Sequence, residues 1–216
     1  HMASRSAVEV LRSARGRGIP ITGETCPHYL TLSDASYPEV GPVMKVYPPV
    51  RTIDDQSALW TGIDDGVIVS VGSDHAPHTV EEKAKPLSTM PAGAVGVETL
   101  VPVLLNEMAK GRISPRRLAD VLSTSTARLY GIYPRKGAIE LGSDADLTIV
   151  DPGATRTIDN RSLHAKEPLS PWHGVTLTGI PTVSLLHGEV LMRDGEPVGP
   201  PRGRFVPARH PGAVEV

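Results

Sequence analysis

Cysteine is nearly absent: the 216 residues contain one, Cys26, so no disulfide can form within the chain and burial and hydrogen bonding must hold the fold. Aromatic residues are scarce at 4%, with a single Phe, which leaves Val, Ile, Leu and Ala to fill the interior. An excess of either charge is also lacking. The 22 Lys and Arg against 24 Asp and Glu, a formal net charge of −2, provide no basic footprint for nucleic acid or an anionic membrane. No apolar run approaches the roughly 20 residues that a membrane-spanning helix needs, so the expectation is a cytoplasmic protein with neither kind of partner. What is present is a 39% hydrophobic content, enough for a core in one large domain or two small ones.

The most informative stretch runs from Val67 to His78, Val-Ile-Val-Ser-Val-Gly-Ser-Asp-His-Ala-Pro-His. A β-branched run closed by Gly72 predicts a strand buried on both faces, as in a parallel sheet. Asp74, His75 and His78 then fall just past its carboxyl end, where α/β barrels keep their chemistry. A carboxylate there can bind a metal or carry a proton, and imidazoles can ligate a metal or grip an anion. Taken alone, the same letters fit an N-cap and a loop shaped by Pro77 equally well.

Around this stretch the chain has the strand-then-helix rhythm of a parallel α/β protein. Ser4 caps a predicted helix with Ala7, Val8, Val10 and Leu11 inward, ending at Arg15-Gly16-Arg17-Gly18. A short strand is expected over Ile19 to Thr22, a brief extended piece over Met44 to Val46, and an irregular loop through Tyr47-Pro48-Pro49-Val50-Arg51. Thr52 or Asp54 caps a helix running to about Asp64, and helices follow over Val97 to Lys110, Pro115 to Leu122 and Ser123 to Leu129. The charged segment Glu81 to Pro86 implies no order. Near Gly137 the grammar changes to short strands, expected before Asp151 and over Val175 to Leu177, Pro181 to His187 and Glu189 to Met192. A Pro- and Gly-rich tail from Gly199 to Gly212 is expected to lie extended over a surface. The chain thus divides into an α/β part, residues 1–136, and a small β module with its tail, residues 137–216.

Four ordered motifs carry a resemblance. Gly23-Glu24-Thr25-Cys26-Pro27-His28-Tyr29-Leu30, Pro48-Pro49-Val50-Arg51, Ser73-Asp74-His75-Ala76-Pro77-His78 and Gly142-Ser143-Asp144-Ala145-Asp146-Leu147 resemble the cyclic amidohydrolases: dihydroorotases, hydantoinases, dihydropyrimidinases and allantoinases. The wording from Asp74 to Pro86, followed by Val95-Gly96-Val97-Glu98-Thr99-Leu100, resembles the dihydroorotase branch most. The resemblance implies a (β/α)8 barrel flanked by a β-sandwich, with one or two zinc ions at the barrel mouth, and hydrolysis of a cyclic amide C–N bond.

By that resemblance Asp74 binds the metal and transfers the proton, and His1, which opens a His-x-x-Ser segment, is a second metal ligand. The letters His1-Met2-Ala3-Ser4 also match a cloning remnant. His78 would hold a substrate carboxylate, and Ala92 and Gly93 would supply backbone groups to the substrate. Tyr47 stands where dihydroorotases carry a substrate-binding asparagine, which puts dihydroorotate itself in question and keeps hydantoinase or allantoinase chemistry as the alternative. His28 receives no ligating role and is read as a structural histidine or one that supports the ligands from behind, and Cys26 as a small buried residue. The remaining metal ligands of the family lie upstream of anything present, so the chain is expected to be the carboxyl-terminal half of a homo-oligomeric enzyme, incomplete alone and associating with its missing half. A metal-free homologue serving as an assembly partner is the rival from another class.

Overall fold

The computed structural model describes residues 1–208. Helix α1 (Arg5–Gly16) is capped by Ser4, whose hydroxyl accepts from Ala7 N, and buries Val8, Leu11 and Ala14. Val10 departs from expectation: it is 70% exposed, because the buried stripe follows the three-and-four spacing of Val8, Leu11 and Ala14 and leaves Val10 on the outer face. Strand β1 (Gly23–Thr25) starts later than predicted and leads into the short helix α2 (Pro27–Thr31) and, after a 3₁₀ turn, α3 (Tyr37–Val40). The expected extended piece at Met44 instead begins as a 3₁₀ turn, Gly41–Met44.

Helix α4 (Ile53–Asp64) opens with a capping box in which Thr52 and Asp55 exchange hydrogen bonds. Its Trp60 Nε1 donates to Leu30 O at 3.0 Å and its Gln56 Nε2 to Leu32 O at 3.0 Å, which satisfies carbonyls at the end of α2. Strand β2 (Ile68–Val71) pairs with β1 in parallel, in keeping with its β-branched, mostly buried residues. Leu59, Ile63, Ile68, Leu30, Leu104 and Val121 close a common core around them.

The charged segment after His78 does contain order. Thr79 and Glu82 form a capping box that starts helix α5 (Val80–Lys83), a Thr-x-x-Glu signal that the charge run obscured. Helix α6 (Leu100–Ala109) follows, then α7 (Pro115–Ala119), a π-helical stretch at Asp120–Thr124, and α8 (Ser125–Leu129). The two helices expected here are one continuous helical run.

Four antiparallel strands follow in the order β3 (Leu147–Thr157), β4 (Thr176–Leu186), β5 (Glu189–Arg193) and β6 (Glu196–Pro197). Strand β3 outruns the predicted end at Asp151, whose Oδ1 accepts from Gly153 N and Ala154 N across a shift in register. Strand β4 runs through Pro181, which the sheet tolerates next to another register shift. The sheet meets the α/β part where Gly179 lies against α6: a Cβ there would come 3.0 Å from Leu105 Cβ, and Thr178 N donates to Asn106 Oδ1 at 3.0 Å. A second core of Val103, Ile158, Trp172 and Leu177 seals that contact. Residues 199–208 form no helix or strand and expose Phe205; the rest of the predicted extended tail, residues 209–212, lies outside the described residues. Among the described residues, no helix is long and apolar enough to cross a membrane.

Candidate metal and substrate site

Three segments converge at one end of the β1–β2 pair. Strand β1 turns Gly23 N and Thr25 O toward β2, with Gly23 N bonded to Val67 O and Gly72 N to Thr25 O. Its other edge accepts Met2 N at Glu24 O, 2.7 Å, while Thr25 Oγ donates to Met2 O. Residues 1–3 therefore run alongside β1 and bring His1 to the end of the sheet. Cys26 follows β1 directly, and Asp74 follows β2 in the left-handed region at φ 47°, a conformation that Asp tolerates better than most residues.

The His1 ring sits between two carboxylates. Its Nδ1 is 3.1 Å from Glu24 Oε1 and its Nε2 is 3.2 Å from Asp74 Oδ1. Cys26 Sγ lies 3.2 Å from the same Nδ1, and His28 Nε2 lies 3.7 Å from Asp74 Oδ2. Ser70 Oγ donates to Glu24 Oε2 at 3.4 Å. Glu24 also packs on Gly72, where a Cβ would come 3.1 Å from Glu24 Cδ, so the absence of a side chain at 72 leaves room for the carboxylate.

This arrangement fits a divalent cation. An imidazole that donates its Nδ1 proton to Glu24 presents a lone pair at Nε2, and that lone pair faces a carboxylate oxygen. Two electron-rich atoms at 3.2 Å call for a proton or a cation between them, and the separation is close to the roughly 3.4 Å between neighbouring ligands on a tetrahedral ion with bonds of about 2.1 Å. A carboxylate behind a ligating histidine is the usual support for such a site. Ligand atoms of His1, Cys26 and Asp74 all lie within 4.8 Å of one another. Burial lifts Asp74 above the ordinary carboxylate range, with the chain's α-amino group opposing and Glu24 adding to the lift. Burial also pushes the Cys26 thiol up and holds His28 down at about 4.

A second group of expected residues gathers in the adjoining loops. Gly93 N donates to Lys45 O at 2.8 Å and Ala76 N to Ala94 O at 2.9 Å. The Lys83 ammonium, 5% exposed, donates to Lys45 O and Pro91 O at 3.3 and 3.2 Å. His78 does not present a free ring: Nε2 is 3.0 Å from Ala92 O and Nδ1 is 3.3 Å from Glu82 Oε2. Both partners are acceptors, and a neutral imidazole donates to one of them at a time, so the ring braces the loop beside the expected substrate contacts. His75 Nδ1 accepts from Gly96 N and Val97 N, which makes it a loop anchor too. Tyr47 is 70% exposed, with the Lys45 ammonium 5.7 Å from its ring centroid. A cavity of about 650 Å³ lies elsewhere, between α6 and the sheet, and reaches these loops only through His75 and Val97.

Sequence reasoning named His1 and Asp74 but passed over Glu24 and Lys83. The signal for Glu24 was a carboxylate inside a short strand two residues before Cys26. Lys83 had no such signal, since a lysine in a charged run reads as solvated.

Residues 10–191 match the amidohydrolase family. The chain belongs to it. An L-hydantoinase of Paenarthrobacter aurescens is 36% identical over 200 residues, 91% of this chain and 44% of that protein. An allantoinase of Rubrobacter xylanophilus is 37% identical over 215 residues, 98% of this chain and 47% of the other. Among solved structures, the L-hydantoinase (dihydropyrimidinase) from Arthrobacter aurescens superposes with a TM-score of 0.89 at 36% identity, covering 92% of this chain and 45% of that one. A dihydropyrimidinase from Brevibacillus agri superposes with a TM-score of 0.86 at 31% identity over the same shares. This amidohydrolase chain thus spans about half the length of the curated relatives it matches, and its α/β part is a portion of their barrel. The family expectation stands, whereas these relatives bear hydantoinase, dihydropyrimidinase and allantoinase names and do not single out the dihydroorotase branch. The wording around Asp74 is too short to separate branches.

Proposed function

We propose that the protein carrying these residues hydrolyses the C–N bond of a cyclic ureide or amide, in the manner of hydantoinases, dihydropyrimidinases and allantoinases. The observation that carries this reading is the His1 imidazole held between Glu24 and Asp74. His1 and Asp74 hold a zinc ion in this reading, and other ligands come from the part of the polypeptide outside these residues. Bound there, zinc would polarise the ring carbonyl and acidify the attacking water. Asp74 takes the proton as the water oxygen bonds to the ring carbonyl carbon, and returns it to the ring nitrogen as the C–N bond breaks. Ala92 and Gly93, with the backbone at Tyr47, orient the ring.

The test is turnover of hydantoin, dihydrouracil, allantoin and dihydroorotate by the full-length protein, with its zinc content measured. Asp74→Asn is expected to lower kcat by about 10²- to 10⁴-fold. Preference for dihydroorotate would return the protein to the dihydroorotase branch, and a zinc-free protein inert on all four rings would make the scaffold an assembly partner instead. The exposed Val10, Ile19 and Ile21 form the face that the rest of the enzyme, or another subunit, covers in this reading. A monodisperse, folded species of 23.0 kDa in solution would count against that association.

A further inference from the structure

We propose that His28 is a positioning residue for this site: its Nε2–H takes Asp74 Oδ2 as acceptor and fixes the carboxylate with Oδ1 turned to His1. The inference rests on the hydrolytic reading above and deepens it. Among the described residues, His28 Nε2 is the one buried side-chain nitrogen or oxygen without a hydrogen-bond partner, and the residue is 3% exposed. Buried donors are almost always paired, so an orphan demands a partner that the resting arrangement has not yet supplied.

The acceptor at hand is Asp74. Its Oδ2 lies 3.7 Å from His28 Nε2, about 0.7 Å beyond an ordinary N–H···O bond of about 3.0 Å. The other oxygen, Oδ1, lies 3.2 Å from His1 Nε2, so one carboxylate spans two imidazoles with a separate oxygen for each. The His28 ring is held where it is. It packs edge-on against Tyr29 at 4.1 Å between centroids, Tyr29 Oη donates to Pro48 O at 2.7 Å, and Pro27, His28, Tyr29 and Leu30 are all buried in α2. Asp74, by contrast, sits on a loop in the left-handed region with no helix or strand to fix its side chain. A donor fixed in a buried helix and facing a carboxylate on a loop is a device for setting the carboxylate's orientation, and the sub-ångström gap closes as His1 and Asp74 close on a shared cation.

The test compares His28→Leu, which removes the donor, with His28→Gln, which keeps an amide donor of similar reach, in the full-length protein. Zinc affinity is measured without substrate by competition with a chromophoric chelator, kcat and KM by ring opening, and fold integrity by thermal midpoint. H28L is expected to weaken zinc binding by about 10- to 100-fold and to lower kcat while KM stays within about twofold. H28Q is expected to stay within about threefold of wild type on both. H28L indistinguishable from wild type, or H28Q as impaired as H28L, overturns the proposal. Should H28L fail to fold, the His28 Nε2–H proton of isotope-labelled wild-type protein decides: a downfield shift on adding zinc supports the bond, and no shift overturns it. A wild-type protein that binds no zinc and opens no ring overturns the hydrolytic reading itself, whereas one that does both with His28 dispensable overturns this inference alone.

Discussion

Replacing Gly93 by Ala strikes the loop that joins the predicted substrate contacts to the strand ends. Gly93 adopts φ 147°, and a Cβ there would come 2.5 Å from Ala76 O and 2.8 Å from Ala76 Cβ. Real Cβ atoms essentially never come closer than 3.0 Å, so the loop must retreat by at least 3.0 − 2.5 = 0.5 Å. That retreat stretches two bonds now at 2.8 Å (Gly93 N to Lys45 O) and 3.0 Å (His78 Nε2 to Ala92 O) toward the limit of hydrogen bonding. The weakened bonds cost about 1 kcal/mol together, and backbone strain in a region that L-residues avoid adds about 1–3 kcal/mol. The sum is about 2–4 kcal/mol. Gly18→Ala serves as control, since Gly18 has φ 80° and nothing within 4 Å of an added Cβ, so only a backbone cost of about 1 kcal/mol applies. Urea unfolding at a shared slope reads the difference as a shift in midpoint. A G93A midpoint no lower than that of G18A would refute the steric reasoning, because the Ala76 contact is what distinguishes the two sites.

Thr52→Ala removes the capping box of α4, in which Thr52 Oγ accepts from Asp55 N at 3.3 Å, and is expected to cost about 1 kcal/mol in the same unfolding assay. Trp172→Phe deletes the indole N–H that donates to Thr31 Oγ at 3.1 Å across the two parts of the chain; a loss of about 1 kcal/mol or more is expected, with α2 amides exchanging faster with solvent. The His164 ring is raised above its usual range by its hydrogen bond to Glu98, with the charges of Glu98 and Glu196 adding. The stability it contributes is therefore complete below the unfolded value near 6.5 and is lost as pH rises through the raised folded value. Thermal midpoints measured from neutral to mildly alkaline pH are expected to fall more steeply in wild type than in His164→Gln, and equal slopes would refute the assignment.

What the sequence by itself determined are features that need only local spacing. The β-branched run ending at Gly72 makes β2 a buried strand, Ser4, Thr52 and Ser114 start their helices where their hydroxyls can take an N–H three residues on, and four ordered motifs indicate the amidohydrolase family. The strand and the caps follow from residues within one or two turns of one another, and the family from the order of short motifs along the chain. Tertiary structure decided how the site is assembled around the two residues that the motifs had pointed to. His1 and Asp74 lie 73 residues apart in sequence and meet because residues 1–3 and β2 flank opposite edges of β1. Glu24 and His28 join them because both sit at the end of that same strand and in the turn after it. His78 was legible as a histidine near the mouth, yet its work as a loop clamp depends on Ala92 O and Glu82, whose positions follow from how the loops fold back. Val10 faces outward for a similar reason, since helical spacing allows a stripe on either side and the packing of α1 against α4 selects the one that is buried.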